Sequence, residues 1–253
     1  MRQLFRLVLA LILVTGSGYA FAKPHIPVTE DSLITITRQV SGFNALQISG
    51  PFDVYIQQGN TESLTYKAPK EVLDRIRTEV EGHTLHIGNK HDNWGWSDKS
   101  WWSDKSWWRH HAKIVVNITV KDLNSIKVSG SGGAFFDDGL ATSSLKLTVR
   151  GSGSMHGKID VKELESRISG SGNIRLTGSA GSSTLNVSGS GNFIAGDLVT
   201  SNSTVRVSGS GNAKINASDK LVAGVSGSGD VRYTGDAKSV RTSTSGSGSV
   251  HKL

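Results

Sequence analysis

Six tryptophans fall between Trp94 and Trp108 of a 253-residue chain that holds no others. They sit in NWGWSDKSWWSDKSWWRHH, where the hexapeptide WSDKSW occurs twice in succession. An indole offers a flat apolar face and one N–H donor, which suits stacking on a sugar ring or seating at a membrane interface. Lys99, Lys105 and Arg109 add cations for anionic headgroups or for cation–π pairing. Trp94, Trp96, Trp101, Trp102, Trp107 and Trp108, with those three cations, are therefore the candidate ligand-binding residues. In an extended chain the six-residue step puts Trp101 and Trp107 on one side and the other four opposite. In a helix it turns by about 240° and scatters the rings. Neither form gives a face that a core could cover, so most of this surface is expected to meet solvent or a partner. A tandem duplication in a tolerant loop, without function, is the competing reading. His91, Asp92, His110 and His111 could also ligate a metal. Adjacent histidines without a third regularly spaced ligand do not make a metal site, and none is expected.

Catalytic signatures are missing. The chain contains no G-x-S-x-G, no G-x-x-x-x-G-K-[ST] and no H-E-x-x-H. Glycoside cleavage needs two facing carboxylates, and Asp137-Asp138 reads as a solvated turn. The chain is expected to be non-enzymatic and to use no cofactor.

The elements that position the aromatic segment begin after residue 22. Arg2 and Arg6, the apolar run Leu7–Val14 and the small residues ending in Ala20-Phe21-Ala22 have the order of a secretory signal peptide. Export to the periplasm, the cell surface or the medium is expected, and residues 23–253 form one domain. Without Arg2 and Arg6 there are 26 basic and 21 acidic residues, a balance of +5. The charges are scattered, whereas a nucleic-acid surface needs a basic stripe, so no nucleic-acid partner is expected. The chain has no cysteine. Packing and hydrogen bonds must hold the fold without disulfides.

From Val128 onward the phrase V-S-G-S-G returns, its first glycines being Gly130, Gly151, Gly170, Gly189, Gly209, Gly227 and Gly246. The steps are 21, 19, 19, 20, 18 and 19 residues. Two residues before each glycine stands a β-branched residue: Val128, Val149, Ile168, Val187, Val207, Val225 or Thr244. A flexible linker has no reason to keep that position; a strand does. Leu164, Ile168, Gly170, Gly172, Ile174 and Leu176 share one face of an extended chain, with Ser166 the polar intruder. A second glycine column at Gly139, Gly157, Gly178, Gly196 and Gly235 reads as corners. Such a unit cannot bury its apolar face alone, but stacked copies can. The expected fold is all-β, a parallel β-helix of about 19-residue coils, about 34 Å long for seven coils. An antiparallel sandwich or prism is the alternative. Serines would then form two outward columns, one from Ser131 to Ser247 and the other from Ser129 to Ser245, interrupted by Arg150.

The first half continues the theme in short alternating runs: ITITRQV, FNALQISG, FDVYIQQG, LTYKA, HTLHIG and KIVVNITV. PKEVLDRI, residues 69–76, is the one expected helix, a lid over a coil. The aromatic segment lies between HTLHIG and KIVVNITV, which are expected to be neighbouring strands. Residues 89–112 thus read as an inserted loop.

FNALQISGPFDVYIQQG, LTYKAPKEVLDRIRTEVEGHTLHIG and LNSIKVSGSG, followed by the recurring coils, resemble the GIN-domain family, labelled as the head domain of auto-transporter adhesins. The resemblance spans Ile34 to Leu253 and implies an exported, single-chain, β-helix-like domain. No run of ten-residue alternating strands of the outer-membrane type follows Leu253, so periplasmic residence or export by other machinery is expected. The resulting functional expectation is an adhesin-like β-helix that binds a glycan, a cell-wall polymer or a lipid surface. The alternative is a structural module of the cell envelope that self-associates through its coil ends, where strand edges are exposed.

Overall fold

Seven V-S-G phrases that each repeat the same contacts stack in register in the computed structural model. It describes residues 33–90 and 114–253. Each of the long strands β9 (Gly133–Gly151), β10 (Ser154–Gly170), β11 (Asn173–Gly189), β12 (Asn192–Gly209) and β13 (Asn212–Gly227) is one turn of a solenoid. Each pairs in parallel with the next over nearly its whole length. The fold is the expected parallel β-helix, not a sandwich or prism.

One wall of every turn, wall A, carries the V-S-G phrase. Val128, Val149, Ile168, Val187, Val207 and Val225 stack there, all buried. The chain then turns through Gly-Ser-Gly onto wall B, where Ala134, Met155, Ile174, Phe193, Ala213 and Val231 form the matching inward column. The corner repeats as faithfully as the walls. Gly170 has φ +114°, and a Cβ there would stand 2.6 Å from the Gly151 carbonyl oxygen. Ser171 N donates to that same oxygen at 2.9 Å, and Ser152, Ser190, Ser210 and Ser228 repeat the bond. The second glycine of each corner from Gly132 to Gly229 is buried and the serine between is exposed.

The second glycine column is less uniform than the spacing predicts. Gly139, Gly178 and Gly235 have positive φ, but Gly157 and Gly196 do not. Gly157 is a packing device: a Cβ there would be 2.0 Å from the ring of Phe136, which fills the interior of the preceding turn. Register shifts at this side of the coil, between Gly157 and Ile159 and between Arg175 and Thr177, absorb the differences in turn length.

The N-terminal half is threaded out of order. β1 (Leu33–Arg38), β2 (Ala45–Ser49), β3 (Phe52–Gln58) and β4 (Ser63–Pro69) are followed by a single helical turn, α1 (Lys70–Leu73). Then come β5 (Ile76–Glu81), β6 (Thr84–Asn89), β7 (Ile114–Val120) and β8 (Ser125–Gly130). β2 and β3 form the two walls of one turn, onto which β8 and β9 stack. On their other side lie β6 against β2 and β7 against β3, both parallel. Antiparallel strands close this end, β5 on β6 and β4 then β1 on β7.

The expected eight-residue helix is reduced to α1 because the residues after it pair as β5. Gly82 and His83, at φ 53° and 63°, form the two-residue turn of a β5–β6 hairpin, a conformation whose twist suits such a connection. Buried Tyr66 of β4 ties the two closing layers together: its hydroxyl pairs with Thr78 of β5, and Arg38 of β1 lies 5.4 Å over its ring. Where the main chain leaves the stack after β3, Gln58 replaces the missing peptide. Its amide donates to Lys121 O at 3.0 Å and Ala141 O at 3.1 Å, and accepts from Ala141 N at 2.8 Å.

The last turn comprises β14 (Asp230–Thr234), β15 (Ser239–Gly246) and β16 (Ser249–Lys252), stacked in parallel on the preceding coil. The interior is apolar but for Ser166, Ser183, Thr200 and Ser203. Thr200 pairs with Ser203 and Asn216 O, both at 2.6 Å, whereas buried Ser166 Oγ has no partner.

Candidate functional site

The register fixes where the aromatic segment enters the fold. Thr84–Ile87 lie on Ala45–Ile48, so Asn89 is level with Gly50. Ile114 lies on Phe52. The step from wall A to wall B that needs only Pro51 between Gly50 and Phe52 in the β2–β3 turn falls, in the turn beneath it, between Asn89 and Ile114. β6 and β7 are not neighbouring strands, as the sequence suggests, because they are consecutive sides of one coil. The expected inserted loop begins at the corner occupied elsewhere by the exposed serines. Lys90 N, the last described donor before it, bonds to Arg75 O at 2.9 Å. Trp94, Trp96, Trp101, Trp102, Trp107, Trp108, Lys99, Lys105 and Arg109 lie outside the described residues, as do His91, Asp92, His110 and His111. Among the described residues no three His, Asp or Glu side chains gather as a metal site. No described helix is long and apolar enough to cross a membrane.

Three residues past the exit of that segment, wall B carries a second aromatic feature. The outward column reads Thr65, Asn117, Tyr55, Phe135, His156, Arg175, Ile194, Lys214, Arg232 and His251, each the ladder partner of the next. Tyr55 and Phe135 stack with centroids 5.0 Å apart and planes 23° from parallel. Phe135 covers one face of the Tyr55 ring. Away from Phe135 the column shortens to Asn117 and Thr65, and a cleft of about 350 Å³ is lined by these together with Tyr55, Phe135, Gln57 and Thr119. Tyr55 is 46% exposed. Asp137 and Asp138 also line the cleft. His156 Nδ1 lies 2.9 Å from Asp137 Oδ1. Beyond His156 the column is basic but for Ile194, with Arg232 3.7 Å from Asp230 in the adjacent column.

That adjacent column is an amide ladder. Asn192 Nδ2 donates to Asn173 Oδ1 at 2.9 Å, Asn212 Nδ2 to Asn192 Oδ1 at 3.2 Å, and Asp230 N to Asn212 Oδ1 at 3.1 Å. The Ser249 hydroxyl donates to Asp230 and, with further help from the Ser249 backbone and Arg232, holds that carboxyl below its ordinary pKa. On wall A the expected serine column stands, Ser129, Arg150, Ser169, Ser188, Ser208, Ser226 and Ser245 in register.

Tyr55 and Phe135 were not singled out in the sequence, yet parity marks them. Phe52, Val54 and Ile56 point inward, which sends Tyr55 out. Two adjacent phenylalanines cannot both face the core of a strand, and with Phe136 buried, Phe135 faces out.

Solved structures share this architecture. A protein described as a "putative adhesin" from Bacteroides fragilis is 23% identical, with 87% of this chain and 97% of that one covered and a TM-score of 0.75. A "putative lipid binding protein" from Parabacteroides distasonis is also 23% identical, with 88% and 97% covered and a TM-score of 0.66. A further "putative adhesin" of the same species is 22% identical, with 87% and 97% covered and a TM-score of 0.68. At these identities the likeness is one of fold. No protein with a curated function matches the chain. The family model described as "Putative auto-transporter adhesin, head GIN domain" matches residues 42–237. The chain belongs to that GIN-domain family of adhesin head domains.

Proposed function

We propose that the chain is an exported, non-enzymatic β-helix that holds a surface ligand partly through the tryptophan-rich segment. The ligand is a glycan, a cell-wall polymer or a lipid surface. The observation that carries this reading is that β6 ends and β7 begins at a corner of the end turn, where a coil can lengthen without disturbing the stacked interior. Six indoles and the cations Lys99, Lys105 and Arg109 at such an edge supply contact chemistry that the small, polar corners of the other turns lack. Membership in a family of adhesin head domains supports a role in surface attachment. The likeness to the Parabacteroides distasonis protein described as lipid binding supports keeping lipid among the ligands. The signal-like order of residues 1–22 supports export. The decisive variant replaces all six tryptophans with alanine. Retention on cell envelope and on polysaccharide should fall to background, and unchanged retention would end this reading.

A second reading, assembly through a coil end, is favoured by β15, whose eight residues are all exposed, with Val240 at 40%. Sedimentation should then show association that rises with protein concentration. A monomer at every concentration removes that reading.

A further inference from the structure

We propose that the cleft beside Tyr55 binds a pyranose ring of a neutral glycan. This deepens the surface-ligand reading by naming the ligand class, and it rests on a site separate from the tryptophan segment. A pyranose has an apolar C–H face and a rim of hydroxyl groups, so a protein that holds one needs a flat ring flanked by hydrogen-bonding side chains. Tyr55 presents that ring. Phe135 braces it at 5.0 Å and lines the same cleft. Such bracing fixes the ring before the ligand arrives and reduces the ordering cost of binding. The floor supplies Asn117 and Thr65, one an amide that donates and accepts, the other a hydroxyl. Asp137 and Asp138 add carboxylates that accept from sugar hydroxyls.

The same carboxylates decide the charge of the ligand. Two acidic groups at the cleft repel a uronate or a phosphate. The cations of the column, Arg175, Lys214 and Arg232, stand farther along wall B, beyond His156. A lipid surface fits poorly as well, because the lining is mostly polar. The volume, about 350 Å³, lies at the small end of ligand pockets and suits one or two rings.

The test uses the full mature chain. Chitotriose, cellotriose and maltotriose serve as neutral probes, trigalacturonate as the anionic probe and phosphatidylglycerol vesicles as the lipid probe. At least one neutral trisaccharide should bind, and Tyr55→Ala should weaken it by about tenfold or more. Tyr55→Phe, which keeps the ring, should bind within about threefold of the wild type, and Asp138→Ala should fall between these. Tyr55 is half exposed, so thermal unfolding of each variant should match the wild type and separate a binding defect from misfolding. Binding of none of the neutral sugars, or equal binding by Tyr55→Ala, overturns the proposal, as does preference for trigalacturonate or vesicles. The six-tryptophan variant, run alongside, separates the two sites. If it keeps Tyr55-dependent trisaccharide binding but loses envelope retention, both readings stand. If it keeps both, the tryptophan reading falls and the cleft remains. If envelope retention is lost with the tryptophans while Tyr55→Ala binds sugar normally, the cleft falls alone.

Discussion

The five regular turns from β9 to β13 and the irregular half from β1 to β8 are built on the same two walls, yet they solve different problems. In the regular turns most inward residues meet their own equivalents in the next coil, and on wall A this holds the column from Val128 to Val225 to β-branched side chains. The outward positions there are mostly Ser, Thr, Asn or charged residues. In the first half each strand meets a different partner, and antiparallel strands close what would otherwise be an open edge. It is here that the described surface departs from the pattern, with half-exposed Tyr55 stacked on Phe135 on wall B. Repetition in this molecule specifies the rod, and interruption of the repeat leaves room for side chains that the regular turns do not carry.

The regular half can be broken most severely from inside. Phe136→Ala should cost about 3–5 kcal/mol in urea denaturation, since it empties a fully buried ring site. Gly157→Ala should be harmful by itself, because its Cβ meets that ring at 2.0 Å. In the double variant Phe136→Leu/Gly157→Ala the two losses should be clearly less than additive. Additive losses would mean that the ring and the glycine are not coupled. Gly178→Ala comes next, at about 3 kcal/mol, because a positive φ of 107° coincides with a Cβ 2.0 Å from the Ile159 carbonyl oxygen. Gly42→Ala tests the same backbone strain in the irregular half. Its φ is 75° but nothing stands within 4 Å, so about 1 kcal/mol is expected. Equal losses at the two glycines would erase the difference between the halves.

The smallest effect concerns pH and the closing layers. Burial raises the Tyr66 pKa above its ordinary 10.0, outweighing the Thr78 hydrogen bond and the Arg38 charge. The folded state therefore keeps its proton while the unfolded state loses it. Stability from this group is complete below pH 10.0 and declines as pH rises through the folded value. Urea midpoints measured from about pH 9 to about pH 11 should fall less steeply for Tyr66→Phe than for the wild type. Equal slopes would show that Tyr66 does not couple the closing strands to alkaline pH.

The solenoid was legible in the sequence because its contacts repeat. Val128 and its six equivalents keep one side-chain type, and Gly170 and its equivalents keep one backbone conformation, so a period of about 19 residues is written into the chain. The second glycine column misled for the same reason in reverse: Gly178 serves the backbone, whereas Gly157 makes room for Phe136, and both are spelled Gly. The threading of the first half left no such trace. Nothing local to Ala45–Ser49 tells that it lies between Thr84–Asn89 and Ser125–Gly130, since those contacts are made once. The hairpin turn at Gly82-His83 outweighed the helical pattern of PKEVLDRI through pairing that only the assembled sheet supplies. At the surface, the tryptophan segment was conspicuous by composition. The Tyr55–Phe135 pair was hidden, because it joins residues 80 positions apart that become neighbours only through the register of β3 on β9.

The central claim is that the coil stack carries the fold and the corner insertion carries the contact. Deleting residues 91–113, so that Lys90 alone joins Asn89 to Ile114 as Pro51 joins Gly50 to Phe52, tests both halves of it in one protein. The account predicts a urea midpoint within about 0.5 kcal/mol of the wild type and loss of envelope retention. A variant that fails to fold, or one that folds and is retained as before, would contradict it.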